Sequence, residues 1–224
     1  MEKSTGHKKT KVAVFISGTG SNLRSLIKFS KLKKSPITIA LVISNNKNAI
    51  GLKYSNIFKI KHKLFNFKNK RLAEKKILNT LRKNKINLIC LAGFMKILSK
   101  RFIKKFRGKI LNIHPSLLPK FKGLNTHEKV INNKEKYSGC TVPYVNSKLD
   151  SGKIICQKKI KVKKNDTPNS LAKRILIQEH KLYPKAILKI FNLQKKNLFR
   201  SSHFQYCQNH EQNFYQLKSR IFFL

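Results

Sequence analysis

The chain has 224 residues, a length that suits one α/β domain large enough to hold a substrate cleft without disulfide staples. Lys and Arg total 51 against 8 Asp and Glu, a formal net charge of +43, yet hydrophobic residues make up 40% of the chain, which excludes a disordered polyelectrolyte. No run approaches the roughly 20 apolar residues of a membrane span, and four scattered cysteines without a CxxC pair exclude a zinc or redox motif of that type.

Residues 1–10 read as a basic N-terminal extension. The apolar run 12–16 that follows is too short for a secretory signal and ends in glycines without a cleavage pattern, so a cytoplasmic protein is expected. Residues 11–16 form a short β-branched strand bounded by Gly18 and Gly20. Ser21 or Asn22 is placed to cap a helix running to about residue 28. A second strand is expected over 37–43, a helix over 49–57 and another over 71–84, leading into the apolar strand 86–92.

A further strand covers 109–113 and ends at the turns of Pro115 and Pro119. A helix over 126–132 precedes two strands, 137–145 and 153–162, joined through the turn at Asp150-Ser151-Gly152. Thr167 and Pro168 open a last long helix over 169–191, and the segment 196–224 is a tail without clear pattern. Alternating strands and helices predict an α/β fold: a mainly parallel twisted sheet with helices on both faces. In such a sheet ligands bind beyond the carboxyl ends of the strands, where Gly18–Asn22, residues 92–98 and Asn112–His114 all fall.

The basic charge has two readings. One is a polyanion partner such as nucleic acid. The other is compositional drift, since Lys, Asn, Ile and Phe are abundant together and the basic residues run along the whole chain rather than in one block. Either way anionic substrates are attracted and nucleic acid binds non-specifically at low salt.

Three features carry chemistry. Ser17-Gly18-Thr19-Gly20-Ser21-Asn22 joins a strand to a helix start, where glycines admit an anion close to free N–H groups. Leu23 at the third glycine position excludes a full dinucleotide fingerprint, and GK[ST] is absent, so the loop is either a phosphate cradle or an ordinary tight turn. Asn112 and His114 alternate at a strand end and share a face, offering an amide donor and a proton-carrying imidazole. His114 is thus a proton-transfer group or a structural histidine before a proline turn. Asp150, one of 8 acidic residues, is a candidate partner for that imidazole or a turn former.

Taken together, ISGTGSNL at 16–23, LAGFMKILS at 91–99, LNIHPSLLP at 111–119, GLNTH at 123–127, LDSG at 149–152 and QEHKLYP at 178–184 resemble the glycinamide ribonucleotide formyltransferase family. The resemblance covers residues 11–195, which it implies to be a Rossmann-like catalytic domain, with 10-formyltetrahydrofolate as formyl donor, small-molecule substrates and no metal. It implies that Gly18, Thr19, Gly20, Ser21 and Asn22 hold the phosphate of the nucleotide, with Glu179 on its ribose and glycinamide part. It implies that Met95, Lys96, Ile97 and Leu98 line the pterin pocket, with Asn112 also facing the folate and Arg71 contacting it. Asn112, His114 and Asp150 match the family's catalytic trio. Three positions depart from the usual pattern: Lys96 where relatives carry Arg, Asn125 for the first His of an HTH sequence, and Pro143 in a strand that commonly holds His.

Two other classes share parts of this pattern. A formyltetrahydrofolate deformylase is expected to carry an N-terminal regulatory domain, and a methionyl-tRNA formyltransferase a C-terminal RNA-binding domain, neither of which the lengths outside 11–195 suit. A basic nucleic-acid-binding relative without activity is the remaining alternative, with Pro143 and the charge in its favour and the trio against it.

Overall fold

The computed structural model describes residues 9–192. Five parallel strands form the central sheet in the order β3-β2-β1-β4-β5: β1 (Thr10–Ile16), β2 (Ile37–Ser44), β3 (His62–Leu64), β4 (Leu88–Leu91) and β5 (Lys109–Asn112). The helices between them are α1 (Ser21–Ser30), α2 (Leu52–Ile57), α3 (Lys70–Lys83) and α4 (Lys100–Lys105). After β5 come α5 (Thr126–Asn132), the antiparallel pair β6 (Tyr137–Pro143) and β7 (Ile154–Lys161), and α6 (Pro168–Ile190). The α/β expectation holds. The tail at 196–224 and Cys207 lie outside the described residues.

Both faces of the sheet are buried, as parallel strands require. On one face Ala13, Phe15, Leu41, Ile43, Ile89, Leu91 and Ile110 pack with Ile77 and Leu81 of α3 and Phe102 of α4. The intervening residues Val12, Val14, Cys90 and Leu111 point the other way and are fully buried. Cys90 is a core residue, with burial pushing its thiol up to about 12; Cys156 is half-buried.

Two elements escape the sequence pattern. The strand β3 has three exposed residues and no alternation to read. In α4, KRFIKK, Phe102 is the one buried side chain, too little for a helical period. Its start is fixed instead by Ser99, whose Oγ accepts from Phe102 N at 3.0 Å. The helix expected over 49–57 begins at Leu52 because Ala49–Gly51 form a turn, with Leu52 N donating to Ala49 O at 3.0 Å.

The cap of α1 differs from the sequence reading in a way that matters. Gly20, not Ser21 or Asn22, stands at the cap, in the left-handed region at φ 73°, and no side chain caps the helix. A side chain at Gly20 is excluded twice: by that φ, and because its Cβ would stand 2.4 Å from Gly51 Cα. Backbone therefore packs on backbone where the first strand turns into its helix. The first-turn N–H groups, with no side-chain cap, remain available to a ligand.

Helix α6 closes the structure and carries an internal proline. Pro184 has no N–H for the carbonyl of residue 180, four positions back. Ser25 of α1 takes that role, its hydroxyl donating to His180 O at 2.9 Å. Beside it Tyr183, fully buried, directs its hydroxyl at Leu91 O and Leu111 O, each at 3.1 Å. One phenol thus ties α6 to the ends of both β4 and β5.

Between Val142 and Pro143 the β6–β7 register slips, the irregularity that a proline without an N–H demands. The pair reaches the sheet through isolated bridges, Leu111 with Tyr144 and His114 with Thr141. Replacing Tyr183 by Phe is expected to lower stability by about 1–3 kcal/mol, the cost of leaving buried carbonyls short of a donor. Urea unfolding would measure it; an unchanged midpoint would show that the carbonyls are satisfied elsewhere.

Candidate active site

Strand order reverses between β1 and β4, so the loops leaving these two strands part and open a crevice at the carboxyl edge. A cleft of about 650 Å³ occupies this edge. It gathers most of the candidate residues: Asn22, Met95–Leu98, Asn112, His114, Asp150 and Glu179 all line it. Gly18, Thr19, Gly20 and Ser21 are not among its lining residues; they form the adjoining turn, with Gly18 and Thr19 exposed. Arg71 is exposed on the first turn of α3 and is not brought to the cleft wall.

Asn112 and His114 do share a face. Asn112 ends β5, and His114 is fastened by reciprocal backbone bonds with Thr141, both 2.9 Å. The Thr141 hydroxyl steadies the proline loop that follows, donating to Ser116 O at 2.6 Å and accepting from Leu118 N at 3.1 Å. That loop, with a cis bond at Leu118–Pro119, returns Phe121 O to within 2.9 Å of His114 Nε2. A carbonyl only accepts, so Nε2 carries a proton.

Asp150 lies opposite. Its Oδ2 accepts from Gly123 N at 3.0 Å and stands 3.5 Å from His114 Nδ1, while Asn112 Nδ2 stands 3.5 Å from Oδ1. The carboxylate therefore faces both residues of the strand end, though the two longer contacts are at the limit for hydrogen bonds. Asp150 holds φ 46°, a left-handed conformation that a short polar side chain tolerates. Gly152 must be glycine, since a Cβ there would stand 1.7 Å from Tyr144 O. Asp150 thus shapes the turn and lines the cleft at once. Sequence reasoning missed the two backbone partners, Gly123 N and Phe121 O, because amides and carbonyls leave no residue-type signal.

At the other end Asn22 Nδ2 donates to Glu179 Oε2 at 2.6 Å, joining α1 to α6. Both side chains are buried, and Asn22 Oδ1 has no hydrogen-bond partner. Burial raises the Glu179 carboxyl above its ordinary value, the Asn22 bond pulling weakly the other way. His127, half-buried on the cleft wall, is lowered by burial and then by the neighbouring His114, and its Nδ1 has no hydrogen-bond partner. Among the described residues no group of three His, Cys, Asp or Glu is arranged to hold a metal ion, and no helix is long and apolar enough to cross a membrane.

A parallel α/β sheet with a polar trio beside an apolar cleft at its switch point defines a ligand-binding α/β fold. The comparisons name it: a family described as formyl transferase matches residues 10–187, and the chain belongs to that family. It is 41% identical over 180 residues to the phosphoribosylglycinamide formyltransferase of Haemophilus influenzae, covering 79% of this chain and 85% of that one. It is 43% identical over 183 residues to the trifunctional purine biosynthetic protein adenosine-3 of Bos taurus, covering 80% of this chain but spanning only 18% of the relative. The crystal structure of phosphoribosylglycinamide formyltransferase from Brucella melitensis superposes with a TM-score of 0.78 at 41% identity, over 85% of this chain and 100% of that one.

The raised Glu179 carboxyl makes a pH prediction. Ionising later in the folded state, it lowers stability progressively as pH rises from its unfolded value through its folded one, and the full cost is present above that. The stability of Glu179→Gln relative to the native protein is therefore expected to improve as pH rises from about 4. Thermal unfolding across that range measures it, and a difference that does not vary with pH would refute the assignment.

Proposed function

We propose that this chain transfers the formyl group of 10-formyltetrahydrofolate to the amine of 5'-phosphoribosylglycinamide, as a cytoplasmic catalytic unit spanning residues 11–195. The observation that carries the reading is the convergence of Asn112, His114 and Asp150 on one wall of the cleft, 3.5 Å contacts linking the carboxylate to both partners. Relatives named phosphoribosylglycinamide formyltransferase support the choice of substrate, and the exposed apolar side chains of Met95 and Ile97 offer a surface for a flat aromatic ring.

In this reading the glycine turn Gly18–Ser21, with Asn22, receives the nucleotide phosphate on uncapped N–H groups of α1. Glu179 and the orphaned Asn22 Oδ1 accept hydrogen bonds from the ribose and glycinamide part. Met95, Lys96, Ile97 and Leu98 hold the folate ring, and Arg71, outside the cleft wall, is left only to a part of the folate that extends beyond the cleft. The amine attacks the formyl carbon, forming the new C–N bond. Asn112 and His114 donate to the oxyanion as it develops, in a wall already fixed by Thr141 and Phe121. Collapse breaks the bond to the folate nitrogen, which takes a proton through His114 while the amine gives one up. Asp150 holds the imidazole in place and balances its charge.

The lysine surface attracts both anionic substrates and is steering rather than recognition. Pro143 and Asn125 line the cleft and the trio is intact, so their departure from the usual family residues bears on efficiency and not on reaction class.

Formylation of phosphoribosylglycinamide by the purified protein, followed by folate absorbance, tests the reading. His114→Ala is expected to lower kcat by roughly 10²–10⁴, and Asp150→Asn to lower it substantially with the fold retained. Absence of transfer by the native protein, together with tight salt-sensitive RNA binding, would sink the assignment. Gly20→Val is expected to raise KM for the nucleotide more than for the folate, because it displaces the turn against Gly51; equal loss for both substrates would argue against a phosphate at that turn.

A further inference from the structure

Ser17 follows β1 and stands at the root of the glycine turn, yet its side chain works across the crevice. Its Oγ accepts from Met95 N at 2.8 Å and donates to Asn45 Oδ1. Its own N–H donates to Gly93 O at 3.0 Å, and Asn46 Nδ2 donates to its carbonyl at 3.1 Å. One hydroxyl therefore spends its single proton on the loop after β2 and accepts the first amide of the segment Met95–Leu98. The residue is nearly buried, at 9% exposure, so these bonds are not traded for water.

The segment after β4 has neither helix nor strand of its own between residues 93 and 98. A side-chain acceptor stands at each of its ends. Ser17 takes the amide at its beginning, and at its end Glu74 of α3, also buried, accepts from Ser99 N at 2.7 Å and from the Ser99 hydroxyl. The two anchors differ in what lies behind them. Glu74 belongs to a helix remote from the glycine turn, whereas Ser17 is covalently continuous with Gly18–Asn22.

From this geometry we infer that Ser17 is a positioning residue that couples the two halves of the cleft: order imposed on the glycine turn by one ligand is transmitted through Ser17 Oγ to the segment that receives the other. The inference rests on the proposed function for the identity of the ligands. A ligand that fixes the turn also fixes the donor and acceptor directions of the Ser17 hydroxyl. The second ligand then meets a segment already ordered and binds more tightly. By linkage the effect is reciprocal. Ser17 touches no reacting atom in this scheme.

The test is a binding cycle with phosphoribosylglycinamide and tetrahydrofolate, which lacks the formyl group, so that the mixture does not react. Titration calorimetry gives the dissociation constant of tetrahydrofolate with and without saturating nucleotide, and the ratio is the coupling. A ratio of roughly fivefold or more is expected for the native protein, falling to about one in Ser17→Ala. Ser17→Thr, which keeps the hydroxyl, is expected to retain the coupling. Glu74→Gln is expected to weaken folate binding with the ratio preserved. Asn45→Ala, which releases the Ser17 hydroxyl without altering Ser17, carries the same expectation as Ser17→Ala should the latter fold poorly.

A native ratio in Ser17→Ala or Asn45→Ala, whatever happens to the individual affinities, would reduce Ser17 to a structural role and overturn the inference. So would a native protein that forms formylated product but shows no coupling. A native protein that forms no product overturns the functional reading itself, and the coupling with it.

Discussion

The crevice between β1 and β4 is the constraint on which the site depends. Because strand order reverses there, the two following loops run to opposite sides and cannot cover the edge between them. The sheet leaves a gap that a ligand can fill, and the chain must then build its walls from loops that the sheet does not support. Each such loop is fastened by a particular side chain. Thr141 steadies the proline loop, Tyr183 joins the ends of β4 and β5, and Glu74 and Ser17 suspend the segment between them. Rigid elements fix the cleft's position, and a few buried hydroxyls and carboxylates fix its shape.

The scarcity of acid sharpens this picture. With 8 carboxylates in a chain of net charge +43, an acidic side chain placed at random would meet lysine on the surface. Several stand instead where a structural or site role needs an acceptor. Glu74 holds the start of α4, Glu179 holds Asn22, Asp150 faces Asn112 and His114, and Asp166 binds Arg174, Ser170 and the amide of Lys163. For Asp166, burial would raise the carboxyl, but those bonds and the neighbouring cations outweigh it and hold it low. Basic residues spread over the surface, while these four carboxylates each stand at defined partners.

Much of this was legible in the sequence because the signals are local. The strand–turn–helix at 10–30, the proline-bounded strand end at Asn112–His114 and the Thr167–Pro168 helix start each rest on residues close together in the chain. The Asn112–His114 face followed from alternation alone. What stayed hidden is what backbone atoms do at a distance. The cap of α1 was misplaced because Gly20 is fixed by Gly51, 31 positions on, and not by an acceptor beside the helix. The partners of Asp150 and His114 at Gly123 N and Phe121 O are main-chain groups that any residue carries. β3 and α4 were unread because one is exposed throughout and the other buries a single side chain.

The contact between Gly20 and Gly51 also sets a mutational boundary. Where two backbones touch with no side chain between them, neither position can accept a residue unless the other loop withdraws. Withdrawal of the first loop would carry Asn22 away from Glu179. Tolerance to substitution at this corner is therefore a joint property of two loops, and it cannot be raised by repacking nearby side chains alone because backbone blocks both positions. A chain that accepts lysine over most of its surface has, at these two positions, no room for even a methyl group.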